Sequence, residues 1–179
     1  ERFLTDLKNE EYDFNPKDAE FVIQIIEKTF VHDKGERLDG TPLRGEPFLL
    51  EPWQKFIIYN LLGFFHKDTI MRRFKEAFIF IPRKNGKTRF VAALSWALSL
   101  LERKSGSTIY IVGAALRQAR QSFEFINFNL QQMGEADNFR VLNNNQESSI
   151  SGDLGDGAIH IEALAASPEK QDSLNCNIA

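Results

Sequence analysis

The chain has 179 residues, 42% of them hydrophobic and 26% charged, which is the balance of an ordinary globular domain. Its formal net charge of −3 argues against a protein that is basic throughout. A single cysteine excludes an internal disulfide framework, and three scattered histidines offer no metal-ligand spacing. No apolar run approaches the ~20 residues of a membrane span.

The first third of the chain predicts two helices separated by a loop. Asn15 and Pro16 are typical of a helix start, and apolar residues follow at helical spacing as far as Phe30. Residues 32–47 are rich in Gly and Pro, which predicts a loop. A second amphipathic helix is predicted from near Pro52 to Gly63.

A phosphate-binding loop is predicted next. Ala77 to Ile81 has the pattern of a buried strand, the polar loop after it ends in Gly-Lys-Thr at 86–88, and Arg89 to Arg103 has the pattern of a helix. Backbone N–H groups in such a loop and at the helix start cradle phosphate oxygens. In that arrangement Lys87 reaches the β- and γ-phosphates, and the Thr88 hydroxyl holds Mg²⁺.

The loop departs from the usual pattern, G-x-x-x-x-G-K-[ST], because Ile81 stands where that pattern has Gly. Gly-Lys-Thr also occurs as an ordinary strand-to-helix turn, which is the alternative interpretation. The charge distribution favours an anion site: eight basic residues lie between Lys67 and Arg89, against two acidic ones. Three of the eight, Arg83, Lys84 and Lys87, lie inside the loop itself.

The second half predicts a sheet covered by helices. Thr108 to Val112 is a predicted buried strand, and residues 115–133 are a predicted helix. The order strand, helix, strand, helix argues for a parallel sheet. Further short strands are predicted around Phe139–Leu142, Ser148–Ile150 and Ala158–Ala163 as an antiparallel meander, and Leu174 to Ala179 is predicted to begin another.

Four segments in this order resemble the large subunit of phage terminases, over about Leu50 to Ala179. Leu50-Glu51-Pro52-Trp53-Gln54 is similar to the adenine-recognition motif of that family, and the loop with Pro82 and Arg83 is similar to its own variant P-loop. The other two segments are Ala114 to Arg120, similar to the family's Gln-Ala segment, and Leu164 to Ser167 with Asp172 to Asn175, similar to the approach to its acidic strand.

The resemblance implies roles for the loop and the motif before it. Lys87 and Arg83 are the expected catalytic residues, with Arg83 at the γ-phosphate or its transition state. Gln54 is expected to contact adenine, because its amide both donates and accepts; without the resemblance it would be an ordinary helix-surface residue. The expected nucleotide-binding set is Gln54, Arg83, Lys84, Asn85, Gly86, Lys87 and Thr88, with Thr88 on Mg²⁺, although Lys84 could instead face solvent or DNA.

The resemblance also implies an architecture. We expect an α/β P-loop NTPase fold, a RecA-like (ASCE-type) parallel sheet flanked by helices, with residues 1–70 as an N-terminal helical lid subdomain that carries the adenine motif. Residues 71–179 are the expected ATPase core, truncated before the family's acidic pair and nuclease domain. Because the chain opens with Glu1 rather than Met, we expect a piece of a longer protein. Because the family's second carboxylate and water-orienting residue are expected beyond Ala179, we expect this piece to hydrolyse ATP very slowly by itself.

The implied activity is ATP hydrolysis with Mg²⁺ that drives double-stranded DNA into a procapsid. The implied partners are double-stranded DNA, the terminase small subunit, the portal protein and further copies of the motor in a ring, with no membrane. The implied location is the cytoplasm of a bacterial host, with a phage or prophage gene. Two alternatives stay open at this point: a helicase-like P-loop ATPase, and a non-enzymatic interaction module whose Gly-Lys-Thr is coincidental.

Overall fold

The computed structural model describes residues 1–144 and 147–166. The helices among them are α1 (Arg2–Asp6), α2 (Lys17–Thr29), α3 (Pro52–Gly63), α4 (Lys87–Glu102) and α5 (Leu116–Met133), with short 3-10 turns at Arg103–Ser105 and Ala136–Asn138. The strands are β1 (Tyr12–Phe14), β2 (Phe64–His66), β3 (Ser107–Gly113), β4 (Arg140–Asn143), β5 (Ser148–Asp153) and β6 (Ala158–Ala165).

The main sheet has four strands in the order β3-β6-β5-β4. Strands β3 and β6 are parallel, with Ser107 opposite Ile159 and Gly113 opposite Ala165. Strand β5 runs antiparallel to both of its neighbours, so the sheet is mixed. The predicted short strands and their antiparallel meander are confirmed. The parallel pair is β3 with β6, which α5, β4 and β5 separate in the chain, and it is not the pair of strands on either side of α4 that the element order predicted. The further strand predicted over 174–179 lies outside the described residues.

The predicted N-terminal helices are also confirmed. Helix α2 begins at Lys17 with Pro16 at its N-cap position, within a residue of the predicted start. The side-chain oxygen of Asn15 accepts the N–H of Lys17 at 3.1 Å just before the helix. Helix α3 begins at Pro52 and ends at Gly63. A Cβ at Gly63 would lie 2.5 Å from the ring of Phe14, so only glycine allows this close approach of β1.

Helix α4 is the centre of the core. It packs against α2 on one side and α5 on another, and it is buried along most of its length. The side chains of Phe90, Trp96 and Ala97 are at most 3% exposed. Because most of its surface is covered, the position of its first turn is fixed by packing on several sides.

The strand predicted over Ala77–Ile81 is wrong. These residues belong to no strand in the structure, and Phe78 and Phe80 are 92% and 86% exposed, with their rings stacked on each other 6.4 Å apart. The segment is apolar, as a buried strand would be, but a strand also needs a neighbouring strand to pair with its backbone N–H and C=O groups. No described strand forms hydrogen-bonded pairs with this segment.

None of the helices in residues 1–144 and 147–166 combines the length and the hydropathy needed to cross a bilayer.

Candidate nucleotide-binding site

The loop before α4 ends in a helix start that is open to an anion. Gly86 has φ 70°, a left-handed conformation that favours glycine, and α4 begins at the next residue, Lys87. The backbone N–H groups of Lys87, Thr88 and Arg89 donate to no acceptor among the described residues, because the first bonded donor is Phe90, which donates to the oxygen of Gly86. Three free N–H groups at the positive end of a helix form an anion site.

The side chains of this loop add positive charge. Arg83, Lys84 and Lys87 are exposed, and no carboxylate of the described part of the chain forms an ion pair with any of them. The Asn85 amide donates to the backbone oxygens of Pro82 and Arg83 at 3.3 Å each, which holds the loop in a tight turn. An anion in this turn would therefore meet unpaired cations as well as free N–H groups.

Helix α3 brings the predicted adenine motif beside the loop helix. The ring of Trp53 lies 5.7 Å from that of Phe90, edge to face, so the first turns of α3 and α4 are in contact. Gln54 is only 4% exposed, and its side-chain oxygen accepts the N–H of Glu51 at 2.8 Å. The oxygen therefore already accepts a hydrogen bond at the start of α3, and the amide nitrogen remains available to donate to a ligand.

An ion pair that the sequence did not indicate anchors the loop helix. The Arg89 guanidinium donates through Nε to Asp33 Oδ1 at 2.5 Å, and it lies 5.8 Å from the ring centre of Phe125 on α5. Both charged side chains are mostly buried, with 27% and 21% exposed. Asp33 belongs to the loop that follows α2, far from Arg89 in sequence, so only the fold reveals the pair.

His32, next to Asp33 in the chain, is affected by the charges of the same ion pair. Burial lowers the pKa of His32, the positive charge of Arg89 lowers it further, and Asp33 and Glu46 act in the opposite direction. The His32 ring packs against Phe48, 5.0 Å away. In the folded protein this side chain therefore favours its neutral form, in which it adds no second positive charge beside Arg89.

An open groove of about 820 Å³ begins at Lys87 and runs along α4. Its floor is the apolar side of α4, including Val91, Leu94 and Leu98, and one wall is the edge of β3 from Tyr110 to Val112. Residues of the segment before the loop also line the groove: Phe74, Lys75, Glu76, Ala77 and Ile79. Among the described residues no strand pairs with this edge of β3.

The cluster of eight basic residues between Lys67 and Arg89 divides into two groups. Arg72 pairs with Asp18 and Glu102, Arg73 pairs with Asp6, and Arg89 pairs with Asp33, so three of the eight hold the fold together. The other five form no ion pair among the described residues: Lys67, Lys75, Arg83, Lys84 and Lys87.

Comparison with known proteins agrees with the geometry of this site. The family model described as "Terminase large subunit, ATPase domain" matches residues 52–172, which is more than half of the chain and includes α3, the loop and the main sheet. No curated protein and no solved structure matches. The match favours the terminase prediction over the helicase-like ATPase and over the non-enzymatic module. The chain belongs to the terminase large subunit family, and it carries the region of that family's ATPase domain.

Proposed function

We propose that this chain binds ATP with Mg²⁺ at the loop of residues 82–88 and serves as the nucleotide-binding part of a DNA-packaging motor. The observation that carries the proposal is the start of α4, where Gly86 turns the chain and the N–H groups of Lys87, Thr88 and Arg89 are free. A Cβ at Gly86 would meet no atom within 4 Å, so the space in front of the helix is open to a ligand. Phosphate is the anion that such a helix start suits best in a family of ATPases.

Lys87 and Thr88 have separate roles in this proposal. Lys87 contacts the β- and γ-phosphates, and the Thr88 hydroxyl is the protein ligand of Mg²⁺. No group of three or more His, Cys, Asp or Glu side chains among the described residues is placed to hold a metal ion. A Mg²⁺ ion held at Thr88 would neutralise part of the negative charge on the phosphates.

Arg83 is the second proposed catalytic residue. Its forked guanidinium is exposed and forms no ion pair with any described carboxylate, so it can contact the γ-phosphate and the charge that develops there. Lys84, Asn85 and Gly86 complete the loop around the phosphates. Gln54 donates from its amide nitrogen to the adenine ring, because its oxygen is already bonded to Glu51.

The wider proposal concerns the parent protein. There, ATP hydrolysis drives double-stranded DNA into a procapsid, with the small subunit and portal protein as partners and a ring of motor copies in the cytoplasm of a bacterial host. Residues 1–70 act as a helical lid over a RecA-like core formed by residues 71–179. The family match supports this proposal, as does the contact of Trp53 with Phe90, which joins the two parts at the loop.

Nucleotide binding tests the proposal directly. Fluorescence titration with a labelled ATP should give saturable, Mg²⁺-dependent binding to the wild-type chain, and Lys87→Ala should weaken it by about 10- to 100-fold, the value of a charge-assisted hydrogen bond. Lys28→Ala is the control, because Lys28 is an exposed lysine on α2 that takes no part in the site. Equal affinity of the Lys87→Ala variant and the wild type would show that the loop is not a phosphate site.

A further inference from the structure

We propose that Arg89, held by Asp33, is a positioning residue that aligns the start of α4 for phosphate binding. This inference rests on the proposed function. Arg89 is the residue whose backbone N–H is the third free donor of the anion site, and its own side chain is locked in place. Any rotation of the first turn of α4 therefore has to break the contact between Arg89 and Asp33.

Asp33 is suited to hold Arg89 because its own loop is pinned at both ends. The Phe48 N–H donates to the Phe30 oxygen at 2.9 Å, which closes the loop at its base. The rings of Phe30 and Phe48 both contact Phe125 on α5, with centres 5.5 and 5.6 Å away. The carboxylate of Asp33 is thus presented from a rigid base rather than from a free loop.

Arg89 also joins this loop to α5. Its guanidinium lies over the ring of Phe125, the same ring that Phe30 and Phe48 contact. The residue after Thr88 is therefore tied to two elements outside α4: the loop after α2 through Asp33, and α5 through Phe125. Precise alignment of several N–H groups on one phosphate depends on supports of this kind.

The same loop leads into the adenine motif. Leu50, two residues before α3 begins, donates its N–H to the Glu27 carboxylate at 3.0 Å, and Glu27 also pairs with Lys55 on α3 at 2.8 Å. The Asp33–Arg89 contact consequently links the segment that carries Gln54 to the segment that binds phosphate. Loss of the contact should weaken phosphate binding in particular, since adenine meets α3 and phosphate meets α4.

The test is a comparison of three probes, ATP, inorganic tripolyphosphate and adenosine, on the full chain. Arg89→Gln should lower the affinity for ATP and for tripolyphosphate at least tenfold and leave the affinity for adenosine unchanged. Asp33→Asn keeps the size of the side chain and should also lower the affinity for ATP and for tripolyphosphate. The double variant should lose no more affinity for ATP or tripolyphosphate than Arg89→Gln alone, because the two substitutions remove the same contact.

The control lies at the other end of the same helix. Arg103 follows α4 and forms a two-pronged contact with Asp156, with 2.9 and 2.8 Å between the paired atoms. Arg103→Gln makes the same chemical change far along α4 from the loop and should leave all three affinities unchanged. Thermal unfolding of each variant separates loss of alignment from loss of the fold, and Asp33→Asn decides the matter if Arg89→Gln does not fold.

The outcomes distinguish the inference from the proposed function. If Lys87→Ala weakens binding as expected while Arg89→Gln and Asp33→Asn bind tripolyphosphate within twofold of the wild type, the positioning role is wrong and the nucleotide site stands. If adenosine affinity falls as much as tripolyphosphate affinity, the pair supports the fold in general and the inference is wrong. If the wild-type chain binds neither ATP nor tripolyphosphate, both proposals are wrong.

Discussion

Gln54 shows how one side chain serves the fold while leaving a group for a ligand. The sequence motif predicted a residue that faces adenine, but the side chain is almost fully buried and its oxygen starts α3. The sequence could indicate the residue type and its place before the loop. It could not indicate which atom of the amide is already bonded, because that depends on the turn of the backbone at Glu51.

Gln54→Glu separates the two uses of this side chain. A glutamate at this position keeps an oxygen for the Glu51 N–H and suits the first turn of a helix, so the unfolding temperature should change by only a few degrees. It lacks the N–H donor, so the affinity for ATP should fall by about tenfold, the value of one net hydrogen bond. Tripolyphosphate affinity should not change.

Gln54→Ala is the companion variant, since it removes both groups. It should lower the free energy of unfolding by about 1 kcal/mol through the lost cap, and it should weaken ATP binding as well. Titration calorimetry and thermal unfolding measure the two effects separately. Unchanged ATP affinity in Gln54→Glu would mean that Gln54 only caps α3 and that adenine is recognised elsewhere.

Among the elements, helices were easier to predict than strands, for a physical reason. The hydrogen bonds of a helix lie within the segment, so the spacing of apolar residues in α2, α3 and α5 was enough to place them. A strand depends on a neighbour, and sequence does not name the neighbour. Residues 77–81 have the composition of a strand but no paired neighbour among the described strands, and the prediction for them was wrong.

The loop after α2 illustrates a contact that no local pattern indicates. Asn129 interrupts the apolar face of α5, and by itself it resembles an ordinary polar residue of a helix. In the structure it is fully buried, its side-chain oxygen accepts the Val31 N–H at 2.7 Å, and its amide donates to the Phe125 oxygen at 3.0 Å. It therefore fixes the start of the loop that presents Asp33.

Asn129→Ala should be strongly destabilising. The substitution leaves the Val31 N–H without its acceptor in a largely buried place, which costs about 1–3 kcal/mol in the free energy of unfolding. Urea denaturation measures that value. Asn138→Ala is the matched control, because Asn138 is exposed and its side chain bonds, among the described residues, only to the nearby Glu135. It should change the free energy of unfolding by less than about 0.5 kcal/mol. Equal losses in the two variants would contradict a structural role for Asn129.

At the scale of the whole molecule, the site is a meeting point of segments that are distant in sequence. The loop after α2, the start of α3, the loop of residues 82–86 and α5 converge at the first turn of α4. The sequence predicted two of these four parts, because the adenine motif and the P-loop each have a local pattern. The other two were not predictable, since their role depends on how α2, α4 and α5 pack.

The charge pattern of the whole chain determines what DNA binding to expect from it. The chain is net negative, so any contact with DNA must be local. Of the eight basic residues between Lys67 and Arg89, three are engaged in ion pairs within the fold, which leaves five for phosphate contacts. Backbone contacts of this kind carry little sequence information.

We therefore expect weak, non-specific and salt-sensitive binding of duplex DNA. Each neutralised phosphate contributes about −0.9 to the slope of log affinity against log salt, so the five cations of this segment that are unpaired among the described residues set a limit of roughly −4.5 for contacts made through it. Fluorescence anisotropy with a labelled duplex, over a series of salt concentrations, gives the slope.

Lys67→Gln with Lys75→Gln should make this slope shallower by about 2, because both lysines are exposed and unpaired among the described residues. Lys17→Gln is the control: it removes the charge of one exposed lysine on α2, outside the segment, and should leave the slope unchanged. Binding that does not vary with salt, or a slope unaffected by the paired substitution, would place the DNA contact outside this segment.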